Sequence, residues 1–198
     1  MNTQNKFNYI KVAAATPKLK IGDIDYNTKE ILKLAKKADT QNVQILVFPE
    51  LCITSYTLGD LFQQQLVLNK AKEALRTIQT ASRQLKSILL VGLPLSFEGK
   101  LFNSAAIVAH GKILGIVPKT YIPGYKEFYE ERWFASARDL IAKEVTISGK
   151  KIPIGIDLLF RSETNADFVL GVEICEDLWS PLPPSSYLAL MGATVIAN

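Results

Sequence analysis

The feature that most narrows the choice of fold is a series of nearly unbroken apolar runs, at residues 43–48, 88–93, 168–174 and 193–197. Strands that alternate apolar and polar residues face water on one side, whereas unbroken apolar strands are covered on both faces. Between the first runs lie two segments with helical spacing: Ile31, Leu34, Ala35 and Ala38, then Leu68, Ala71, Leu75, Ile78 and Leu85. Residues 7–15 read as a first strand, with Asp25 as the cap of the first helix. Residues 104–109 and 113–117, separated by His110, Gly111 and Lys112, have hairpin spacing. Residues 145–160 hold short strand candidates broken by Gly149, Pro153 and Gly155, and residues 185–191 a short helix. The sum is one α/β layered unit over 1–198 that mixes parallel units with hairpins.

Composition excludes several classes. With 198 residues, 48% of them apolar, the chain can bury a core. Its net charge of +4 is scattered. Lys29, Lys33, Lys36 and Lys37 fall on the first helix among Glu30, Ile31 and Leu34, the pattern of a solvated face, and no basic–aromatic interleaving points to nucleic acid. No apolar run has the length of a membrane span, and the N-terminus lacks signal-peptide organisation, which predicts a cytoplasmic protein. Cys52 and Cys175 form no CxxC pair, and one histidine completes no zinc site, so free thiols in a reducing compartment are expected.

Three of the apolar runs end on reactive side chains: ILVFPEL at 45–51, GIVPKTY at 115–121 and GVEICEDLW at 171–179. Each has an ordinary structural reading. A cysteine at a strand end is commonly a small buried hydrophobe, a lysine a surface charge, and a loop glutamate the partner of a surface lysine. Taken together they supply an acid/base (Glu50), a cation for an oxyanion (Lys119) and a thiol nucleophile (Cys175), the groups needed to hydrolyse an amide. His110, the sole histidine, falls on the hairpin turn, so proton transfer would fall to Glu50. Glu127 is placed to support Lys119, while Tyr125, Phe128 and Tyr129 are candidate pocket walls or plain packing. Cys52, with apolar neighbours and no charged successor, reads as inert.

FPEL, PKTYIPGYKEFYEERWF and GVEICEDLW resemble the glutamate, lysine and cysteine signatures of the nitrilase (carbon-nitrogen hydrolase) superfamily. The wording around them, ELCITSYTLGDLF, KEFYEERWF and CEDLWSPLPPSSYLALMGATVIAN, is similar to the glutaminase domains of the glutamine-dependent NAD(+) synthetase family, over about residues 11–198. The resemblance implies an α/β nitrilase-like α-β-β-α sandwich, four-layered when paired. It also implies that Cys175 forms a glutamyl thioester, that Glu50 acts as base, and that Lys119 and the backbone N–H of Glu176 hold the oxyanion. Glu127 would support Lys119, and Tyr125 and Phe128 would border glutamine.

In that family the ammonia passes to a C-terminal synthetase domain that uses ATP and magnesium to amidate nicotinic acid adenine dinucleotide. No cofactor is expected in the present chain. The SGGxDS pyrophosphate loop is absent, the nearest string being Ser148-Gly149-Lys150-Lys151. The resemblance therefore describes a single, C-terminally incomplete glutaminase domain of a longer, homo-oligomeric protein, with little activity alone. A stand-alone amidase and a non-enzymatic module on the same fold remain alternatives.

Overall fold

The computed structural model describes residues 9–163 and 165–198. The first strand, β1 (Val12–Ala14), is shorter than expected; Phe7 and Asn8 of the expected strand lie outside the described residues. Helix α1 (Ile24–Thr40) is capped by Asp23, whose carboxylate accepts from Tyr26 N at 3.0 Å. Asp25 sits inside the first turn instead, because the helix begins one residue before it. The remaining elements follow as β2 (Ile45–Val47), α2 (Gln65–Ala81), β3 (Ile88–Phe97), β4 (Lys100–Ala109), β5 (Lys112–Pro118), β6 (Glu144–Ile147), β7 (Lys150–Pro153), β8 (Phe160–Arg161), β9 (Val169–Val172), α3 (Glu176–Trp179), α4 (Pro184–Leu190) and β10 (Val195–Ala197).

Among the described residues the largest sheet runs β1-β2-β3-β4-β5. Its first three strands are parallel, joined by α1 and α2, and its last three antiparallel. The change of direction comes from two-residue turns. Glu98-Gly99 and His110-Gly111 both place two successive residues at positive φ, as does Ser148-Gly149 between β6 and β7. Positive φ at both positions is the geometry whose twist matches the flanking strands, and glycine adopts it without steric cost. Ser148-Gly149 is therefore a hairpin turn, and the β3–β4 hairpin is one that the apolar pattern alone did not reveal.

A second sheet, β10-β9-β8, lies against the first. Ile45, Leu90, Ile107 and Val117 of the large sheet pack with Phe168, Leu170, Val172 and Ala197. On its other face the large sheet buries Ile31, Ala35, Leu75 and Ile78 of the two long helices. Helix α4 covers the second sheet, with Leu188 against Gly171, where an added Cβ would stand 3.1 Å from its side chain. The layers are thus helix, sheet, sheet, helix, an α-β-β-α sandwich. None of the helices among the described residues is long and apolar enough to cross a membrane.

Candidate active site

Glu50 owes its position to a close approach of backbone. The chain leaving β2 turns at Pro49 and Leu51, the latter at φ 51°, and lies directly on β3 at Gly92. A Cβ at Gly92 would come within 2.3 Å of Leu51 N and 2.9 Å of Pro49 O, so glycine alone permits the contact. The turn is tied down by Phe48 N donating to Leu90 O at 3.0 Å and Ile53 N to Gly92 O at 3.2 Å.

Lys119 follows the last residue of β5. Its N–H donates to Asn103 O on β4 at 2.8 Å, and its side chain has no exposed surface. The ammonium donates to Glu50 Oε1 at 2.6 Å and to Glu130 Oε1 at 2.7 Å. Asn103 Nδ2 bridges the same two carboxylates, at 2.6 Å from Glu50 Oε1 and 3.2 Å from Glu130 Oε2. Tyr56 OH completes the cluster by donating to Glu130 Oε1 at 2.9 Å.

Burial works to lower the Lys119 pKa, but the two carboxylates outweigh it and hold the ammonium above its ordinary value. Glu130, only 1% exposed, is pushed upward by desolvation and by the neighbouring Glu50 charge. Tyr56 is pushed upward by burial and by the Glu130 carboxylate beside it.

The support expected from Glu127 comes from Glu130. Glu127 is exposed and makes none of the Lys119 contacts. The loop after Pro123 folds back on itself, with Glu130 N donating to Pro123 O at 3.1 Å, which turns residue 130 inward. A clasp holds this loop from outside: Arg132 pairs with Asp60 at 2.6 and 2.9 Å, and Trp133 Nε1 donates to the same carboxylate at 2.8 Å.

Cys175 stands just past β9 and just before α3, at φ 47° and ψ −99°. A non-glycine residue in that region is strained and persists only where its surroundings fix it. The thiol and the Glu50 carboxylate line the same cavity. Desolvation and the Glu50 charge, partly opposed by Lys119, push the thiol up to about 11, so the resting group is a neutral S–H.

Cys52 presents the opposite case. It is fully buried, its Sγ lies 3.7 Å from Gly92 O, and desolvation pushes it up to about 12. No reactant can reach it.

Glu50 and Cys175 both line a cavity of about 270 Å3 that opens between the sheets past Leu90, Ala105, Val172 and Ala197. Next to Cys175 in the chain, Glu176 accepts from Tyr125 OH at 2.8 Å through Oε1, and the Tyr125 and Phe128 rings meet edge to face with centroids 6.0 Å apart. The structure therefore brings Glu50, Lys119 and Cys175 together, gathers Tyr125, Phe128 and Glu176 beside them, and leaves His110 on the exposed β4–β5 turn. Glu130, Asn103 and Tyr56 were missed, because residues that meet only through loops and cross-strand neighbours carry no sequence period. Among the described residues no group of three or more His, Cys, Asp or Glu side chains is placed to hold a metal ion.

The carbon-nitrogen hydrolase profile matches residues 11–198. The chain belongs to the carbon-nitrogen hydrolase family. It is 40% identical over 190 residues to the glutamine-dependent NAD(+) synthetase of Mycobacterium leprae, covering 96% of the chain and 28% of that relative. With the synthetase of Aquifex aeolicus of the same description it shares 31% identity over 178 residues, covering 90% of the chain and 28% of the relative. A crystal structure of a glutamine-dependent NAD(+) synthetase from Cytophaga hutchinsonii superposes with a TM-score of 0.81 at 29% identity, over 94% of the chain and 30% of that protein. An amidase from a Nesterenkonia species shares the fold, with a TM-score of 0.71 at 19% identity over 94% of the chain and 63% of the amidase. The chain thus spans less than a third of the length of the curated relatives it matches.

Proposed function

We propose that this chain is the glutamine amidohydrolase part of a glutamine-dependent NAD(+) synthetase, and that Cys175, Glu50 and Lys119 carry its chemistry. The observation that carries the reading is the arrangement itself: a strained, accessible thiol lining one cavity with a carboxylate that also holds a buried ammonium at 2.6 Å. Its kinship to synthetases of that description points to glutamine as the amide.

In the proposed reaction Glu50 takes the thiol proton as Sγ bonds to the side-chain amide carbon of glutamine. The carbonyl oxygen becomes an oxyanion, stabilised by the Lys119 ammonium and the backbone N–H of Glu176. Because a thiol held near 11 ionises poorly at neutral pH, proton transfer is concerted with attack, the usual demand on a general base. Protonated Glu50 then gives its proton to the departing nitrogen, the C–N bond breaks, and ammonia leaves behind a glutamyl thioester. Water next loses a proton to Glu50 and adds to the thioester carbon. Collapse breaks the C–S bond, returns the proton to sulfur and releases glutamate.

Glu130 and Asn103 hold Lys119 and Glu50 in register, while Tyr125, Phe128 and Glu176 border the substrate. The ammonia is passed to a synthetase part beyond this chain, where ATP and magnesium serve the amidation of nicotinic acid adenine dinucleotide, in a cytoplasmic homo-oligomer. The 198 residues alone release ammonia far more slowly than the longer protein.

The test is a glutamine-analogue electrophile followed by intact-mass analysis of the longest native form. The adduct is expected on Cys175. Cys175→Ala abolishes it and ammonia release together, and Cys52→Ala leaves both in place. Labelling of Cys52, or ammonia release surviving Cys175→Ala, sinks the reading.

A further inference from the structure

Asp177 is a charged side chain that the reaction just described does not use, yet it is 1% exposed and pairs with no cation at contact distance among the described residues. Its partners are backbone N–H groups. Oδ1 accepts from Thr120 N at 3.0 Å and Tyr121 N at 2.7 Å, the two residues that follow Lys119. Oδ2 accepts from Ile174 N at 3.1 Å, the residue that precedes Cys175. One carboxylate therefore ties the chain leaving β5 to the chain leaving β9, which belong to different sheets.

We infer that Asp177 is a positioning residue of the active site, a clamp that fixes Cys175 in its strained backbone conformation and in register with Lys119. The inference rests on the roles proposed above for those two residues. It follows from three observations that meet at one side chain. A residue at φ 47° and ψ −99° must be held by its neighbours, and bonds such as Asp177 N to Ile174 O at 3.0 Å and Leu178 N to Cys175 O at 3.1 Å close the turn around Cys175 only on itself. The carboxylate ties this turn to the backbone leaving β5 through bonds of 2.7 to 3.1 Å, all shorter than the 3.5 Å contact of Asn198 Nδ2 with Cys175 O. A neutral side chain would not do the same, because three N–H donors converge on two oxygens and only the ionised acid presents acceptors to all of them.

Desolvation raises Asp177 to about 6, against the lowering effect of its N–H donors and of Lys119, the charged group facing it from the β5 end. Glu176, its neighbour on α3, has its carboxylate engaged with Tyr125 instead. The clamp is complete well above pH 6, half-populated at about pH 6, and weakened below it as protonation removes an acceptor.

Two experiments on the longest native form test this. In Asp177→Asn the amide oxygen still accepts from Thr120 and Tyr121, but its NH2 faces the Ile174 N–H. The expected result is a kcat on the order of tenfold to a hundredfold lower, the scale of a misplaced reacting group, with KM within about threefold of the parent. Asp177→Ala should lose more. If the folded Asn variant, counted by thiol-titrated sites, keeps kcat within about twofold, the clamp is refuted.

The second experiment needs no substitution and no turnover. The Thr120, Tyr121 and Ile174 amides should be protected from hydrogen exchange at pH 8 and lose protection below pH 6, relative to strand amides such as those of Val117 and Leu170. Exchange as fast as in open loops at pH 8, or a ratio that stays constant through pH 6, overturns the inference. Failure of the unaltered protein to release ammonia would instead count against the amidohydrolase reading and leave the exchange result to decide the clamp.

Discussion

A lysine without exposed surface, flanked at 2.6 and 2.7 Å by two carboxylates, is an arrangement in which every member depends on the others. Removing the cation leaves like charges facing each other in a desolvated space, which typically costs about 3–5 kcal/mol. Lys119→Met should therefore lower stability by that order in a denaturant melt and cut ammonia release by about a hundredfold or more. Adding Glu130→Gln should restore part of the stability, since it removes one stranded charge, and none of the activity. The thiols allow a second check. Both have folded values raised above the ordinary 9.0, Cys175 to about 11 and Cys52 to about 12. The sign follows: the stability that Cys52 contributes by staying protonated is complete below pH 9 and is lost as pH rises toward 12, because the unfolded thiol ionises first. Stability measured at pH 8 and again near pH 10.5 should fall less in Cys52→Val than in the parent. Alkylation of Cys175 in the native protein should accelerate steadily up to about pH 11, while Cys52 stays unlabelled until the chain unfolds.

Strand ends deliver Glu50, Lys119 and Cys175, and this is why they could be read from the chain: each closes an apolar run, so the point where burial stops is visible in the residues. Loop geometry was not visible in the same way. Glu127 and Glu130 lie three residues apart in one charged stretch, and only the hydrogen bond from Glu130 N to Pro123 O decides which faces inward. The cap of α1 was placed at Asp25 rather than Asp23 for a related reason, two acids competing at one helix start with only backbone geometry to choose between them. Of the two-residue hairpins, His110-Gly111 stood out because an unbroken apolar run leads into it, whereas Pro94 and Ser96 interrupt the run that leads into Glu98-Gly99 and hid the strand pair of β3 with β4. The contact of Gly92 with the Glu50 turn is likewise a fact of tertiary approach. Gly92→Ala would push a methyl group into Leu51 N. A thermal melt should show a loss on the order of 1–3 kcal/mol from overpacking, and ammonia release should fall disproportionately because the displaced segment carries the proposed base.

The complete fold places the reactive groups where the two sheets meet, and the layer order was legible because buried strands and striped helices alternate along the first half of the chain. The cavity between the sheets was not, since its walls are ordinary apolar residues such as Leu90 and Val172. Ala105, on β4, lines that space. Ala105→Leu should fill part of its 270 Å3 with a stability change within about 1–3 kcal/mol. It should slow labelling of Cys175 by a glutamine-sized electrophile more than labelling by a small one. Equal slowing of both reagents would mean that the substrate approaches from elsewhere.

The sealed position of Lys119 has a consequence for the order of events in synthesis. Its carboxylate partners come from residues 50 and 130, while the thiol that lines the same cavity as Glu50 comes from residue 175, so the ribosome must pass residue 175 before the last participant arrives. Until then a growing polypeptide holds an ammonium and two acids with no sulfur among them, and the thiol proposed as nucleophile, once made, meets the proposed base only when the second sheet closes over the first. On the proposed roles, reactivity is switched on only as the second sheet docks.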